Sequence, residues 1–231
     1  MDNNEALYIG TSSTGFDIYN HNKIETYNNR NGLLHDNTWE ILSTGNEIYF
    51  ATDAGISILN KNTNSFVSIT KRDGLISNSV RRFVRATDGT FYAGTWGGIN
   101  VISNGRIKSY SEKDGLVHNH VMDLELDNNG NLHVATQGGL SIFDGNSFKN
   151  YTAENGLPEN YLQSLLLASD STMYIGTFGH GLLKMKDGRL DTLTIQKGLS
   201  GNNITCISEY DGKILIGTYE SGLNILDDDS I

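Results

Sequence analysis

The sequence has little of what several classes of protein depend on. It contains one proline and one cysteine, Cys206, so no disulfide can form within the chain. Basic residues are few, because 17 Lys and Arg stand against 27 Asp and Glu, which gives a formal net charge of −10 at pH 7. Such a chain lacks the basic surface by which proteins bind duplex nucleic acid or anionic membranes. These shortages exclude a disulfide scaffold and argue against nucleic acid as a partner.

Long apolar runs are also missing. No stretch approaches the roughly 18 consecutive apolar residues of a membrane-spanning helix, and the first ten residues lack the basic start and apolar core of a secretory leader. With 37% hydrophobic residues the chain still has enough apolar mass for a packed core, which excludes disorder. We therefore expect no direct membrane insertion, and either a soluble protein or a piece separated from its signal and anchor.

What the sequence does contain is a repeat of about 41 residues. A short apolar run that ends in a small residue and a threonine recurs six times, and a Gly-Leu pair falls between successive copies. The repeated threonines are Thr11, Thr52, Thr95, Thr136, Thr177 and Thr218. Because the two series keep the same spacing along the chain, they mark one structural unit repeated in tandem.

Each unit has the pattern of four short antiparallel strands, which we label A to D. Apolar runs of strand length are bounded by Gly, Asn and Asp, including Asn-Gly and Asp-Gly pairs that favour tight hairpins. Four short strands in about 40 residues are typical of a β-propeller blade. The predicted fold class is all-β, a β-propeller of four-stranded antiparallel blades with almost no helix. We expect the inner A strands to begin near Asn37, Ser79, His120, Tyr161 and Asn203.

The first and last of the six units are incomplete. The chain starts at strand B of the first unit and stops after strand C of the last, so the first blade lacks its inner strand and the last lacks its outer strand. We expect residues 1–231 to form a single propeller domain, either an imperfectly closed six-bladed ring or a fragment of a larger propeller, and we favour the fragment. Open strand edges invite association, so a homodimer is a further expectation.

One motif resembles a known family. In order along the chain it contains Gly115-Leu116-Val117-His118-Asn119-His120-Val121, Leu124, Asp127, Gly130, Leu132, Val134-Ala135-Thr136 and Gly139-Leu140. This series resembles the two-component regulator propeller repeat, which runs G-L-x-x-N-x-V-x-x-I-x-x-D-x-x-G-x-L-W-I-G-T-x-x-G-L. The resemblance extends over essentially the whole chain, with Tyr in four copies where the family favours Trp.

The resemblance implies a ligand-sensing module, typically the periplasmic part of a hybrid two-component sensor that often responds to oligosaccharides. It therefore implies a small polar ligand with carbohydrate favoured, an extracytoplasmic location, and an attached or partner signalling domain. The sequence itself contains no kinase domain, so a free-standing relative and a cytoplasmic location both stay open.

Two variable series supply the candidate ligand-binding residues. Strand B runs up to each threonine, so the loop after the threonine and the loop before strand A lie on the same rim. On this rim the threonines and glycines recur in every unit, whereas the residue after each threonine and the residues at the start of strand A differ from unit to unit. Such variation on a constant framework is expected of a binding site. The candidates are Trp96, Phe178, Tyr219, Arg81, His120, Tyr161, Asn37 and Trp39. The alternatives are that the aromatics pack between blades and that Arg81 pairs with an acidic residue there.

The repeating polar residues have a structural explanation. An Asn or Asp recurs before each A strand, where its side chain is expected to satisfy backbone groups of the bend, and the threonines and the glycines that follow them belong to the same framework. No cofactor or metal is predicted, because the segment Asp127–Asn131 only superficially resembles a calcium loop and lacks the remaining ligands. The recurring residues of the bend are Asp36, Asn78, Asn119, Asn160 and Asn202.

Catalytic motifs are not found: there is neither an HExxH pair nor a G-x-S-x-G elbow. His118 and His120 alternate, which places them on one face if they lie in a strand. We expect a non-catalytic binding module. The second hypothesis is a polysaccharide-active lyase or hydrolase that uses His120, Tyr161 and Arg81, and the third is a structural propeller used for protein contacts.

Overall fold

A computed structural model of the chain describes residues 6–20, 22–219 and 221–227. These residues form antiparallel sheets of three or four strands, and helix is confined to three 3-10 turns. The sheets are the blades of a β-propeller, so the predicted fold class is confirmed. The three turns are Lys71–Asp73, Glu112–Asp114 and Ile195–Lys197.

The chain divides into two compact units that meet between Tyr110 and Ser111, and each is described by itself. The expectation of one domain over the whole chain stays a prediction. Blade 1 of unit 1 consists of β1 (Leu7–Gly10), β2 (Phe16–Asn20) and β3 (Lys23–Tyr27). Blade 2 consists of β4 (Thr38–Thr44), β5 (Glu47–Thr52), β6 (Gly55–Asn60) and β7 (Ser65–Ile69). Blade 3 consists of β8 (Val80–Arg85), β9 (Phe91–Thr95), β10 (Gly98–Ser103) and β11 (Arg106–Tyr110).

Unit 2 contains the other three blades. Blade 4 consists of β12 (Val121–Leu126), β13 (Leu132–Thr136), β14 (Gly139–Phe143) and β15 (Phe148–Tyr151). Blade 5 consists of β16 (Leu162–Leu167), β17 (Met173–Thr177), β18 (Leu182–Lys186) and β19 (Arg189–Leu193). Blade 6 consists of β20 (Ile204–Tyr210), β21 (Lys213–Thr218) and β22 (Gly222–Leu226).

The strand pattern confirms the predicted units. Each A strand begins one residue after the predicted position, and blades 1 and 6 have three strands in the described part of the chain, as the missing A and D strands require. Within each unit the A strands of neighbouring blades lie side by side: β4 contacts β8, β12 contacts β16, and β16 contacts β20. The starts of these strands therefore come together at one end of each unit.

The core of each unit lies between its blades. In unit 1, Phe16 and Phe50 stack between blades 1 and 2 with ring centroids 3.9 Å apart. The leucine of each Gly-Leu pair that precedes an A strand is buried, with a relative exposure of 3–6%. Burying one such side chain stabilises the fold by about 1.5–3 kcal/mol. The buried leucines are Leu33, Leu75, Leu116, Leu157 and Leu199.

The predicted framework role of the repeating Asn and Asp is confirmed. In all five loops before strand A, the side-chain oxygen accepts a hydrogen bond of 2.7–2.9 Å from a backbone N–H seven residues earlier. Asn119 Oδ1, for example, accepts from the N–H of Glu112. Each repeated threonine hydroxyl likewise donates to the carbonyl oxygen of a glycine at or directly before the start of the next strand, as Thr136 does to Gly139 at 2.7 Å.

Every A strand contains a β-bulge at the same place. Thr38 and Glu40 pair with Thr52 and Ala51, which leaves one extra residue between them, and the register shifts in the same way in the other four A strands. A bulge bends its strand and re-aims the extra side chain. The extra residues are Trp39, Arg81, Met122, Gln163 and Thr205, which are variable rim residues.

Candidate functional site

The two variable series meet at the rim of each unit. In blade 3 the N–H of Trp96, the residue after the repeated threonine, donates to the carbonyl oxygen of Ser79 just before strand A, at 3.1 Å. The same bond joins Gln137 to His120 in blade 4, and equivalent bonds occur in blades 5 and 6. The framework therefore holds two variable side chains and the bulge residue of each of these blades close together.

In unit 1 the rim residues converge on Asp53, which follows the repeated threonine of blade 2. Its Oδ2 accepts from Asn37 Nδ2 at 2.7 Å, and its Oδ1 accepts from Trp39 Nε1 at 3.0 Å. From blade 3, Ser79 Oγ lies 3.3 Å and Arg81 Nη2 3.2 Å from Oδ1. We call this group the unit 1 rim cluster: Asn37, Trp39, Asp53, Ser79, Arg81 and Trp96.

Arg81 lies between two indole rings. Its guanidinium carbon is 3.8 Å from the ring centroid of Trp39 and 4.2 Å from that of Trp96. Both indoles therefore face the guanidinium. This cation–π arrangement orients both indoles. Arg81 does pair with an acidic residue, as the structural alternative expected, but only Nη2 makes that contact.

The charges in this cluster shift each other's titration. Burial by itself raises the pKa of Asp53, but the hydrogen bonds from Asn37 and Trp39 and the charge of Arg81 outweigh it, so the pKa lies below its ordinary value. Burial lowers the pKa of Arg81, and the charge of Asp53 opposes that effect. Asp53 is therefore a carboxylate near neutral pH, and the guanidinium of Arg81 keeps its charge there because arginine is not deprotonated in proteins.

In unit 2 a hydrogen-bonded series crosses the rim from blade 4 to blade 5. His120 Nδ1 lies 3.0 Å from Gln137 Oε1, and Gln137 Nε2 donates to the hydroxyl of Tyr161 at 3.4 Å. The ring of Tyr161 stacks on Phe178, with centroids 5.0 Å apart and planes 17° apart. Further along the rim, Gln163 Nε2 donates to Asn203 Oδ1. We call this group the unit 2 rim cluster: His120, Gln137, Tyr161, Gln163, Phe178 and Asn203.

Two further titratable residues border the stacked pair of blade 5. His180 Nδ1 lies 3.0 Å from Glu159 Oε2, and Glu159 Oε1 accepts from the backbone N–H of Tyr161, also at 3.0 Å. Burial by itself raises the pKa of Glu159, but these backbone hydrogen bonds and His180 outweigh it and lower the pKa. The carboxylate therefore holds the start of strand A in position.

The aromatic candidates are open to solvent. The relative exposures of Trp39, Trp96 and Phe178 are 45%, 46% and 49%, and that of Tyr219 is 61%. None of the four is buried between blades as the packing alternative expected. Tyr219 lies on the rim of blade 6, where its N–H donates to the carbonyl of Asn203 at 2.9 Å.

His118 and His120 lie in the loop before strand A of blade 4, so the condition under which they would share one face of a strand is not met. Strand β12 begins at Val121, and in the loop before it the N–H of His120 donates to His118 Nδ1 at 3.1 Å. The two rings meet edge to face, with centroids 5.1 Å apart. The loop turns at this point because the bulge and the preceding Asn119 shape the entry to the strand, and the alternation of a regular strand does not apply.

The sequence candidates omit five members of the two rim clusters: Asp53, Ser79, Gln137, Gln163 and Asn203. A signal for Asp53 exists, because it is the one carboxylate among the residues that follow the six threonines. No comparable signal marks Gln137 and Gln163, since their role depends on partners in a neighbouring blade. Arg81 belongs to unit 1, whereas His120 and Tyr161 belong to unit 2.

Metal ligands do not assemble among the described residues, where no group of three or more His, Cys, Asp or Glu is placed to hold an ion. The segment that superficially resembles a calcium loop is a hydrogen-bonded turn. There Asp127 accepts from the backbone N–H groups of Asn129 and Asn131, and His133 Nε2 lies 3.3 Å from its Oδ2.

A groove of about 1030 Å³ lies at the other end of the strands in unit 2, away from the rim. Its lining includes the A–B and C–D turns of blade 5, and it mixes charges of both signs. Lys186 Nζ pairs there with Asp170 at 2.7 Å. We place the candidate site at the rim because variable residues of neighbouring blades converge there. The groove is lined by residues of blade 5 alone.

No protein-family profile matches this chain, and no curated protein matches it. Solved structures do match. An extracellular domain assigned to a hybrid two-component system of B. thetaiotaomicron aligns with a TM-score of 0.81 and 23% identity, over 95% of this chain and 31% of its own. An extracellular domain assigned to a one-component system of the same organism gives a TM-score of 0.81 and 20% identity, over 97% of this chain and 32% of its own.

A bacterial enzyme shares the fold as well. Virginiamycin B lyase from Staphylococcus aureus aligns with a TM-score of 0.75 and 12% identity, over 97% of this chain and 81% of its own. This chain spans about a third of the length of the two B. thetaiotaomicron domains. The likeness to all three establishes the propeller fold.

Among the described residues, no helix has the length and apolarity needed to cross a bilayer.

Proposed function

We propose that this chain is a non-catalytic sensor propeller, located outside the cytoplasm, that binds a carbohydrate at its rim. The observation that carries the proposal is the set of half-exposed aromatic rings that polar contacts hold in place. Trp39 and Trp96 flank Arg81 in unit 1, and Phe178 stacks on Tyr161 in unit 2.

The chemistry of a sugar ring fits such a surface. A pyranose presents C–H groups on its faces and hydroxyl groups around its edge, so it needs a flat apolar surface with hydrogen-bonding groups beside it. The amides of Gln137 and Gln163 and the hydroxyl of Tyr161 lie beside the stacked rings of unit 2. Amides and hydroxyls both donate and accept, as sugar hydroxyls do.

The sensing role rests on the likeness to extracellular domains of regulatory systems. Ligand binding across two blades would favour one relative position of their A strands, and an attached or partner signalling domain would read that change. Asp123 of blade 4 already joins such strands, because its Oδ2 accepts from the N–H of Leu165 in blade 5 at 2.8 Å.

A carbohydrate screen with rim variants tests the proposal. The unmodified protein is titrated with a panel of neutral and acidic oligosaccharides by isothermal calorimetry, and the best ligand is repeated with Phe178→Ala and Trp96→Ala. We expect the variant in the unit that holds the ligand to weaken binding about tenfold or more while melting close to the unmodified protein, because losing one stacked ring removes on the order of 1.4 kcal/mol or more.

Tyr210→Ala is the matched control. Tyr210 is 74% exposed and ends strand β20 at the side of blade 6 opposite the rim, so its removal should leave binding unchanged. A panel in which no carbohydrate binds, or a ligand that binds all three variants equally, would contradict the proposal.

A polysaccharide lyase or hydrolase is the second candidate, favoured by the series from His120 through Gln137 to Tyr161. Histidine and tyrosine are groups that can move protons in such reactions. Incubation with the same polysaccharides, followed by assays for new reducing ends and unsaturated products, separates the two candidates. Turnover that disappears in Tyr161→Phe would replace the sensor proposal with an enzyme.

A further inference from the structure

The guanidinium of Arg81 is buried but mostly without hydrogen-bond acceptors. Its residue exposure is 8%, and neither Nε nor Nη1 has a hydrogen-bond partner among the described residues. Only Nη2 is engaged, by Asp53. Arginine presents its donors in a planar fork that matches a carboxylate. A buried guanidinium with two donors that lack acceptors is uncommon in native proteins. A ligand that supplies the missing acceptors would explain it.

The surroundings of the fork limit what can approach it. The indole rings of Trp39 and Trp96 both face the guanidinium, so a ligand that reaches the unpartnered donors must approach an edge of the guanidinium beside these rings. A carboxylate is planar and makes two parallel hydrogen bonds to such an edge.

The charges around the fork are balanced. Asp53 faces Nη2, and Glu40 on the same rim accepts the backbone N–H of Phe83. Arg82 adds a second positive charge, with its Nη1 3.0 Å from the carbonyl oxygen of Arg81 and 3.4 Å from that of Trp39. The two arginines offset the two carboxylates, so a further carboxylate does not enter a field of one negative sign.

We propose that Arg81 binds the carboxylate of an acidic sugar through the edge of its guanidinium that Asp53 leaves open, where Nε or Nη1 donates beside the second N–H of Nη2. The ligand class of the rim is then a uronate-containing oligosaccharide. This inference rests on the proposed carbohydrate-binding function. Because about half of each indole faces solvent, rotation of one ring uncovers the edge, and the sugar ring then packs against the indole that flanks the arginine.

The chain offers a direct probe of this step, because it contains two tryptophans and they are the two rings that flank Arg81. Their fluorescence therefore reports on this cluster alone. The test titrates the full chain with oligogalacturonate and with its methyl ester, which has the same rings without the charge, and with glucuronate against glucose. We expect the acid to change the fluorescence and to bind about tenfold or more tightly than the ester, as loss of a charge-assisted bidentate contact implies.

Two variants locate the effect. Arg81→Lys keeps the charge but lacks the fork, so it should reduce the preference for the acid over the ester by about tenfold. Asp53→Asn keeps the shape and the acceptor for Trp39 while removing the competing carboxylate, so it should bind the acid more tightly than the unmodified protein. The comparison of acid with ester needs no variant, which keeps the test decisive if one of them unfolds.

The outcomes separate this inference from the function on which it rests. If acid and ester bind equally, carbohydrate binding stands and the carboxylate site is wrong. If Arg81→Lys folds and keeps the full preference for the acid, the carboxylate binds elsewhere and the assignment to Arg81 is overturned. If no sugar of either kind binds in fluorescence or calorimetry, the proposed function itself fails, and the inference fails with it.

Discussion

Single residues of this protein divide by what they contact. Gly139 belongs to the framework: its φ is +134°, and a Cβ built on it would collide with the carbonyl oxygen of Tyr151. Gly145 also has a positive φ, of +96°, but a Cβ there would meet no atom within 4 Å. Gly139 is therefore required both by its positive φ and by the nearby backbone of Tyr151, whereas Gly145 is required by its positive φ only.

This pair gives a prediction for stability. Gly139→Ala should lower the free energy of unfolding by well over 1 kcal/mol, because the collision adds to a backbone strain of about 1–3 kcal/mol. Gly145→Ala should cost only the strain. Urea unfolding of both variants measures the difference, and equal losses would show that the close approach of Tyr151 does not matter.

Glu125 is a residue whose charge opposes folding. It lies on β12 opposite His133, and burial together with the negative charge of Asp123 raises its pKa to about 7. An ordinary glutamate has a pKa of 4.5, so the folded state holds this proton more tightly than the unfolded state. The resulting stability is fully present below pH 4.5 and is lost as the pH rises through 7.

Glu125→Gln should therefore raise the melting temperature at pH 8 and flatten its fall between pH 5 and 8, because the amide needs no proton to stay neutral. Melting curves at several pH values measure this slope. Glu154→Gln, at an exposed carboxylate of the loop before strand A of blade 5, is the control and should leave the slope unchanged. A Glu125→Gln slope equal to that of the unmodified chain would assign the pH dependence to other groups.

At the level of elements, the bulges of the A strands explain how one scaffold carries a variable site. In blade 5, Leu162 and Ser164 pair with Thr177 and Gly176, so Gln163 has no partner across the ladder and serves the rim instead. The ladder keeps its pattern whatever residue occupies the bulge. Five different residue types stand at this position in the five A strands.

The bulge gives a prediction that contrasts two deletions in one strand. Removing Gln163 should leave a regular ladder in register, so the chain should fold and keep its β-sheet circular dichroism while losing the contact to Asn203. Removing Leu165, three residues into the same strand, should unfold blade 5, because a one-residue slip turns each later side chain to the opposite face. If both deletions have the same effect, the bulge is not the tolerant position.

Much of the fold follows from the repeat, and the bulges mark where that inference ends. The starts of the five A strands were predictable to within one residue, and the role of Asn119 and its equivalents follows from recurrence and turn chemistry. A bulge, by contrast, is a mismatch between two paired strands, so no single strand reveals it. The stack of Arg81 between Trp39 and Trp96 depends on two such bulges and on side-chain rotamers. For that reason the sequence predicts these three residues as candidates but does not predict that they contact each other.

At the level of the whole molecule, blades 1 and 6 present edge strands. Among the described residues β1 pairs with β2 alone and β22 with β21 alone. Apolar side chains on these strands are exposed: Leu7, Ile9, Leu223 and Ile225. Open edges with exposed apolar residues template pairing with another chain. We propose on this basis that the chain forms a homodimer through its edges.

The charge of the chain sets how this association should respond to salt. Each copy carries a formal net charge of −10, so two copies repel each other at low ionic strength, and added salt screens that repulsion. Apolar edge pairing should therefore strengthen between about 0.05 and 0.5 M salt, where the Debye length falls from above 10 Å to below 5 Å. Sedimentation velocity across this range measures the dimer fraction.

Leu223→Lys combined with Ile225→Lys should abolish the dimer, whereas Ile195→Lys, at a similarly exposed apolar residue in a 3-10 turn, should not. A dimer that weakens with salt would instead rest on charge pairs, and a chain that stays monomeric at all salt concentrations would refute edge pairing.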